Sequence, residues 1–127
     1  MKLNRNVLAD AIFNSFIGLG ISLIEMEFLL GVDYRDVLNG GIDPESEAGK
    51  KGFVVMNSYQ LLFNMSNGDN ELIKRWMHQY CADLHMKPYD LLAKPDGINR
   101  LHKFLSSTYS ADKFLSSLAD TTIQASA

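Results

Sequence analysis

Residues 53–65 read FVVMNSYQLLFNM, the densest apolar stretch in the chain. Wound at 3.6 residues per turn, Phe53, Val54, Val55, Met56, Tyr59, Leu61, Leu62, Phe63 and Met65 cover most of a helix's circumference. Such a helix must be central to the fold or lie in a subunit interface. Just upstream, Asp43-Pro44 reads as a helix restart, an aspartate cap followed by proline at the first helical position. Downstream, Ser66-Asn67-Gly68-Asp69 has the composition of a turn.

Toward the N-terminus the signals stay helical. Val7, Leu8, Ala11, Ile12 and Phe16 recur at helical spacing and predict a helix over residues 4–17, broken by Gly18-Leu19-Gly20. Ser22 with Glu25 is a capping-box pattern, and it predicts a helix near 23–30 with Leu23, Ile24, Phe28 and Leu29 on its buried side. Gly31 stops it. Asp33 then caps a short helix, Tyr34–Asn39, closed by Gly40-Gly41.

Toward the C-terminus, Leu72, Ile73, Trp76, Met77 and Tyr80 form an amphipathic stripe. Pro88 starts a short helix with Leu91 and Leu92. Pro95-Asp96-Gly97 leads into a last main helix with Ile98, Leu101, Phe104 and Leu105. Ser110 caps a short, weak helix with Phe114, Leu115 and Leu118, and residues 121–127 read as frayed. No strand alternation, internal repeat or low-complexity segment interrupts the pattern. The expectation is an all-α fold in four segments: a degenerate helix-turn-helix-like region (1–43), a central or dimerisation helix and turn (44–69), a small helical unit (70–109) and an extension (110–127).

Composition narrows the function classes. With 127 residues, 46% of them hydrophobic, the chain can bury a real core. Its net charge of −3 creates no general attraction to phosphate backbones or anionic membranes. A single cysteine, Cys81, excludes an intrachain disulfide and suits a reducing cytoplasm. The N-terminal apolar residues are spaced as on one helix face, with Asp10 and Asn14 among them, unlike a signal peptide. Phe16 to Ile24 is broken by Gly18, Gly20 and Ser22 and falls short of a membrane span.

Residues 22–39, SLIEMEFLLGVDYRDVLN, have the helix–turn–helix spacing in which a second helix enters the DNA major groove. The base-reading candidates are Tyr34, Arg35 and Asn39. Against that reading, residues 1–43 carry three cations and six anions, and counterion release needs cations facing the phosphates. Two readings stand: a hairpin kept for packing, and a DNA reader acting as a dimer.

Residues 71–109, ELIKRWMHQYCADLHMKPYDLLAKPDGINRLHKFLSSTY, carry an ordered set of features. Arg75-Trp76-Met77 comes first, Pro88-Tyr89-Asp90-Leu91-Leu92 second, and Asp96-Gly97 with the apolar run Ile98 to Leu105 third. Each has a plain physical role: Trp76 buries aromatic surface and needs a partner for its indole N–H, Pro88 presets a helix start, and Gly97 permits close packing. Together with the upstream helical hairpin and apolar helix, the set resembles the toxin-binding domain of Xre/MbcA/ParS antitoxins over roughly residues 20–109. The sequence departs from that pattern in the glycine-free loop 81–87, in Lys94-Pro95, and in the eighteen residues after Tyr109.

The resemblance implies Trp76, Pro88, Leu92 and Gly97 as fold determinants. It also implies a protein partner, a RES-domain toxin that consumes or transfers from NAD. Tyr89, Lys94, Asn99, Arg100, Lys103, Tyr109 and the following tail are the expected contacts. Residues 70–109 hold six cations against four anions, which suits a partner site that accepts dinucleotide phosphates. Relatives often also repress their own operon as homodimers, so operator DNA is a further expected partner. The role of the tail is open between lengthening the plug, covering another surface, and neither.

No chemistry competes with binding. His78, His85 and His102 with Cys81 offer at most one close ligand pair and no tetrahedral zinc set. Cys81 reads as a buried, inert thiol. There is no glycine-rich phosphate loop, and the carboxylates are scattered. The expectation is therefore a cytoplasmic binding protein with no catalytic residue, metal or cofactor. The alternatives are a dimeric transcriptional regulator and a plain helical dimerisation module.

Overall fold

The computed structural model describes residues 4–107 and 109–126, with side chains to residue 119. Among the described residues eight helices follow one another: α1 Arg5–Gly18, α2 Leu23–Leu30, α3 Tyr34–Gly40, α4 Glu47–Met65, α5 Asn70–Met77, α6 Pro88–Leu92, α7 Gly97–Ser107 and α8 Ala111–Ser126. The fold is all-α. Among the described residues the only β pairing is an isolated bridge between Cys81 and Met86. No single helix is long and apolar enough to cross a membrane.

Local chemistry sets most of the boundaries. Asn4 caps α1 by accepting from the amides of Asn6 and Val7. The Ser22–Glu25 capping box opens α2, and Gly31 closes it in the left-handed region at φ 70°. Asp33 caps α3, Asp69 caps α5, and Pro88 stands at the start of α6. The start of α4 corrects the expectation. Asp43 accepts from the Glu45 amide at 2.9 Å and forms a turn of its own, so the capping role passes to Ser46, which accepts from the Gly49 amide at 3.1 Å.

Helix α4 is the axis of the molecule, packed by α1 and α7 and touched by α2, α5 and α8. Its buried stripe is Gly49, Gly52, Val55, Ser58 and Leu62. The small residues allow close approach: Ile12 of α1 lies where a Cβ on Gly52 would be, and the Tyr59 ring occupies the same space over Gly18. Of the apolar run 53–65, Val55 and Leu62 are buried, Phe53, Val54, Met56, Tyr59, Leu61 and Met65 are half-buried and Phe63 is exposed, so the helix is central to the fold while part of its apolar surface stays open. Buried residues from α1 to α8 form one continuous core.

The C-terminal part departs from its sequence reading in two places. Helix α5 stops at Met77 instead of reaching Tyr80, which is exposed. Just past the helix end, the Gln79 side chain donates to the Ser117 carbonyl of α8 at 2.9 Å. Helix α8 is long rather than short and weak, running to Ser126 through the stretch expected to fray. Its Phe114 is fully buried against Trp76, with ring centroids 5.8 Å apart. Trp76 is itself fully buried, and its Nε1 donates to the Tyr109 hydroxyl at 2.9 Å. Burial pushes the Tyr109 phenol well above its ordinary pKa, opposed in part by the bond from Trp76. Among the described residues, no buried side-chain nitrogen or oxygen lacks a partner.

Candidate docking surface

The rotation of α2 decides what the surface looks like. Its sequence, LIEMEFLL, is apolar on more faces than a short helix can bury against one neighbour. The expected buried side was Leu23, Ile24, Phe28 and Leu29. Instead Met26 and Leu30 are buried, Leu29 is half-buried, and Leu23, Ile24 and Phe28 face outward. Ile24 is 78% exposed and Phe28 81% exposed. The anchors that set this rotation are polar. Glu25 accepts from the Ser22 hydroxyl at 2.7 Å, and Glu27 reaches across the turn to accept from the Tyr34 amide at 3.2 Å.

The outward face of α2 borders an apolar groove of about 330 Å³, lined by Ile21, Ile24, Glu25, Phe28, Leu29, Tyr89, Leu92 and Ala93. Helix α6 forms the opposite wall. Its Tyr89 ring stacks on His78 with centroids 4.6 Å apart, and His78 Nε2 lies 3.4 Å from the Gly20 carbonyl oxygen, which ties both walls together. Past Phe28, Leu29, Leu92 and Ala93 the groove continues into a depression of about 190 Å³, where Lys51, Lys94, Asp96, Gly97, Ile98 and Asn99 join the lining.

Three expected contact residues meet here. Tyr89 lines the groove, and Lys94 and Asn99 line its continuation. Asn99 donates to the Asp96 carboxylate at 2.7 Å. Arg100 and Lys103 line neither part but are exposed on α7, where Asn99 and Lys103 stand one turn apart. Tyr109 is a correction. Its side chain is buried as the acceptor and ring neighbour of Trp76, so it supports the fold and offers nothing to the surface. Of the expected fold determinants, Trp76, Pro88, Leu92 and Gly97 are all buried. Gly97 is required for close approach, because a Cβ there would overlap the Leu91 carbonyl oxygen.

The sequence reading missed Ile24, Phe28 and Lys51. A helix apolar on two sides was the signal available for the first two; nothing in the sequence places Lys51 of α4 beside α6.

The expected DNA-reading residues sit differently. Tyr34 is half-buried with its ring 5.5 Å from that of Phe13. Arg35 is exposed with its Nε 3.9 Å from Asp33, and Asn39 is exposed. The cleft beside α3, about 470 Å³, is lined by Asp33, Asp36, Asp43 and Glu47 together with Arg5, which donates to the Gly40 carbonyl. Phosphates would meet a predominantly acidic lining there. His78 and Cys81 do not share a helix face, since α5 ends before both. Among the described residues no group of three or more histidine, cysteine or acidic side chains is placed to hold a metal. Compared with known proteins, the chain matches no protein-family model and no curated protein.

Proposed function

We propose that this chain is a cytoplasmic, non-catalytic antitoxin that binds and occludes a partner toxin, of the NAD-consuming RES type that its C-terminal pattern resembles. The observation that carries the reading is the groove between α2 and α6. Ile24 and Phe28 stand exposed beside an apolar channel that gathers Tyr89, Lys94 and Asn99. A contiguous exposed apolar patch with a polar rim is the usual mark of a protein-binding face. Exposed cations on α7 extend the rim and suit a partner whose own site accepts phosphates. Inside a reducing compartment the buried Cys81 stays a thiol.

The test is co-expression of this chain with the product of the neighbouring reading frame. Growth arrest caused by that product alone, relieved by this chain, with both recovered as one complex, supports the reading. A harmless neighbour, or one that stays toxic while the chain is abundant and folded, removes it. Reversing the rim charges with Arg100→Glu and Lys103→Glu is expected to weaken the complex on the order of tenfold, mostly through slower association at low salt. Unchanged binding and unchanged salt dependence would place the toxin elsewhere.

A further inference from the structure

We infer that a second copy of this chain occupies the α2–α6 groove, the two copies pairing about a two-fold axis that passes beside Phe28. A toxin docking in the same groove must displace the second copy, a consequence that rests on the antitoxin reading, whereas the pairing stands without it.

A two-fold interface joins one patch to itself, so the patch must carry both the projection and the recess that receives it. This one carries both. Ile24 and Phe28 stand exposed on one wall, directly beside the recess that they help to line. Phe28, Leu29, Leu92 and Ala93 line the groove and also its continuation, so they form the centre of the combined surface. Ala93 is small and exposed, and Leu92 beside it is buried, which leaves an apolar seat for a ring. Phe28 of one copy laid on that centre in the other takes two aromatic rings out of water at once, because the symmetry repeats the contact.

Charge fixes the register. Among the described residues, Glu25, Lys51, Lys94 and Asp96 are the ionic side chains that line the groove and its continuation, and their order is uneven. Glu25 lies at the α2 end, with Ile21, Ile24 and Tyr89, and makes that end negative. Lys51, Lys94 and Asp96 lie at the α7 end, two cations against one anion, and make it positive. Both carboxylates count in full, since the hydrogen bonds from Ser22 to Glu25 and from Asn99 to Asp96 leave their charges in place. A two-fold axis across the centre exchanges the ends. Each Glu25 then faces Lys51 and Lys94 of the other copy, twice in one interface. A groove lined by one sign repels its own copy; opposite signs at opposite ends attract it, and in one orientation only. The surface therefore matches itself in shape and in charge, which is what a second copy requires.

Sedimentation of the purified full chain over a concentration series is the test. So short a contact is expected to give a micromolar monomer–dimer equilibrium, with concentration-dependent NMR shifts at Ile24, Phe28, Tyr89 and Ala93. Phe28→Ser is expected to weaken pairing by about tenfold or more. Because that side chain is exposed, the variant should keep the Tm of the parental monomer, which separates lost pairing from lost folding. Lys51→Glu with Lys94→Glu sets carboxylates against Glu25 and should cost about tenfold in dimer affinity. Adding Glu25→Gln to that double variant should recover several-fold, and glutamine preserves the capping box. Asp10→Asn, an equal charge change outside the groove, should recover nothing. A chain that stays monomeric up to about 1 mM overturns the inference. So does a dimer indifferent to Phe28→Ser, or equal recovery by Glu25→Gln and Asp10→Asn. The two proposals fail separately. If the chain is monomeric and Phe28→Ser abolishes binding of the neighbouring gene product, a different protein is the occupant: the pairing falls and the antitoxin role stands. If the chain pairs as described and the neighbouring product is harmless, the antitoxin role falls and the pairing stands.

Discussion

Trp76→Ala is expected to lower the free energy of unfolding by about 3–5 kcal/mol, the range for deleting a large aromatic from a packed core. The side chain is fully buried, with the ring of Tyr109, just before α8, and that of Phe114 on α8 5.6 and 5.8 Å away. Alanine would leave a cavity that Phe114 fills only by moving α8. A domain of this size commonly has about 5–15 kcal/mol in total, so the loss is a large fraction. Urea titration measures it, and amide exchange should show α8 opening first. Tyr109→Phe separates packing from polarity. It keeps the ring but removes the acceptor that the indole N–H reaches at 2.9 Å, for an expected cost of about 1–3 kcal/mol. A loss below about 1 kcal/mol for Trp76→Ala would mean that this aromatic cluster does not hold the C-terminal half together.

Gly97→Val is the second large effect, through overpacking instead of a void. At residue 97 even a Cβ overlaps the Leu91 carbonyl oxygen and comes within 2.9 Å of the Leu92 backbone. Side chains can rotate away from an intruder; this backbone cannot without separating α6 from α7. The expected cost is about 3 kcal/mol or more, at or beyond the upper end of ordinary overpacking. The same junction carries Leu92, Ala93 and Lys94, so partner binding should fall along with Tm. Gly40→Ala is the control. Nothing lies within 4 Å of a Cβ there, and the change should stay within about 0.5 kcal/mol. Equal Tm for the two variants would contradict the packing described at the α6–α7 junction.

What was legible in the sequence followed from interactions that close within a few residues. Ser22 with Glu25, Asp33 before Tyr34, and Pro88 before Leu91 each announce a helix start, because donor and acceptor lie within one turn. The apolar density of 53–65 likewise announced the central helix. What was not legible depends on distant partners. The Trp76–Tyr109 bond spans 33 residues, so the need of the indole for a partner was predictable and the identity of that partner was not. That pairing moved Tyr109 from the expected surface into the core. The end of α5 at Met77 is followed by another distant contact, the Gln79 bond to Ser117, which the local sequence does not announce. For α2, periodicity could not choose between two apolar faces; in the fold Met26 and Leu30 face inward and Glu27 accepts from the Tyr34 amide. The groove between α2 and α6 is bordered by the outward side, where Ile24 and Phe28 are exposed.

Hydrogen–deuterium exchange on the complex with the neighbouring gene product is the most direct probe of where this molecule works. Binding in the α2–α6 groove predicts slowed exchange over residues 21–31 and 89–100 on complex formation, with α3 unchanged. Protection confined to α3 and its acidic cleft, or no complex at all between folded components, would contradict it.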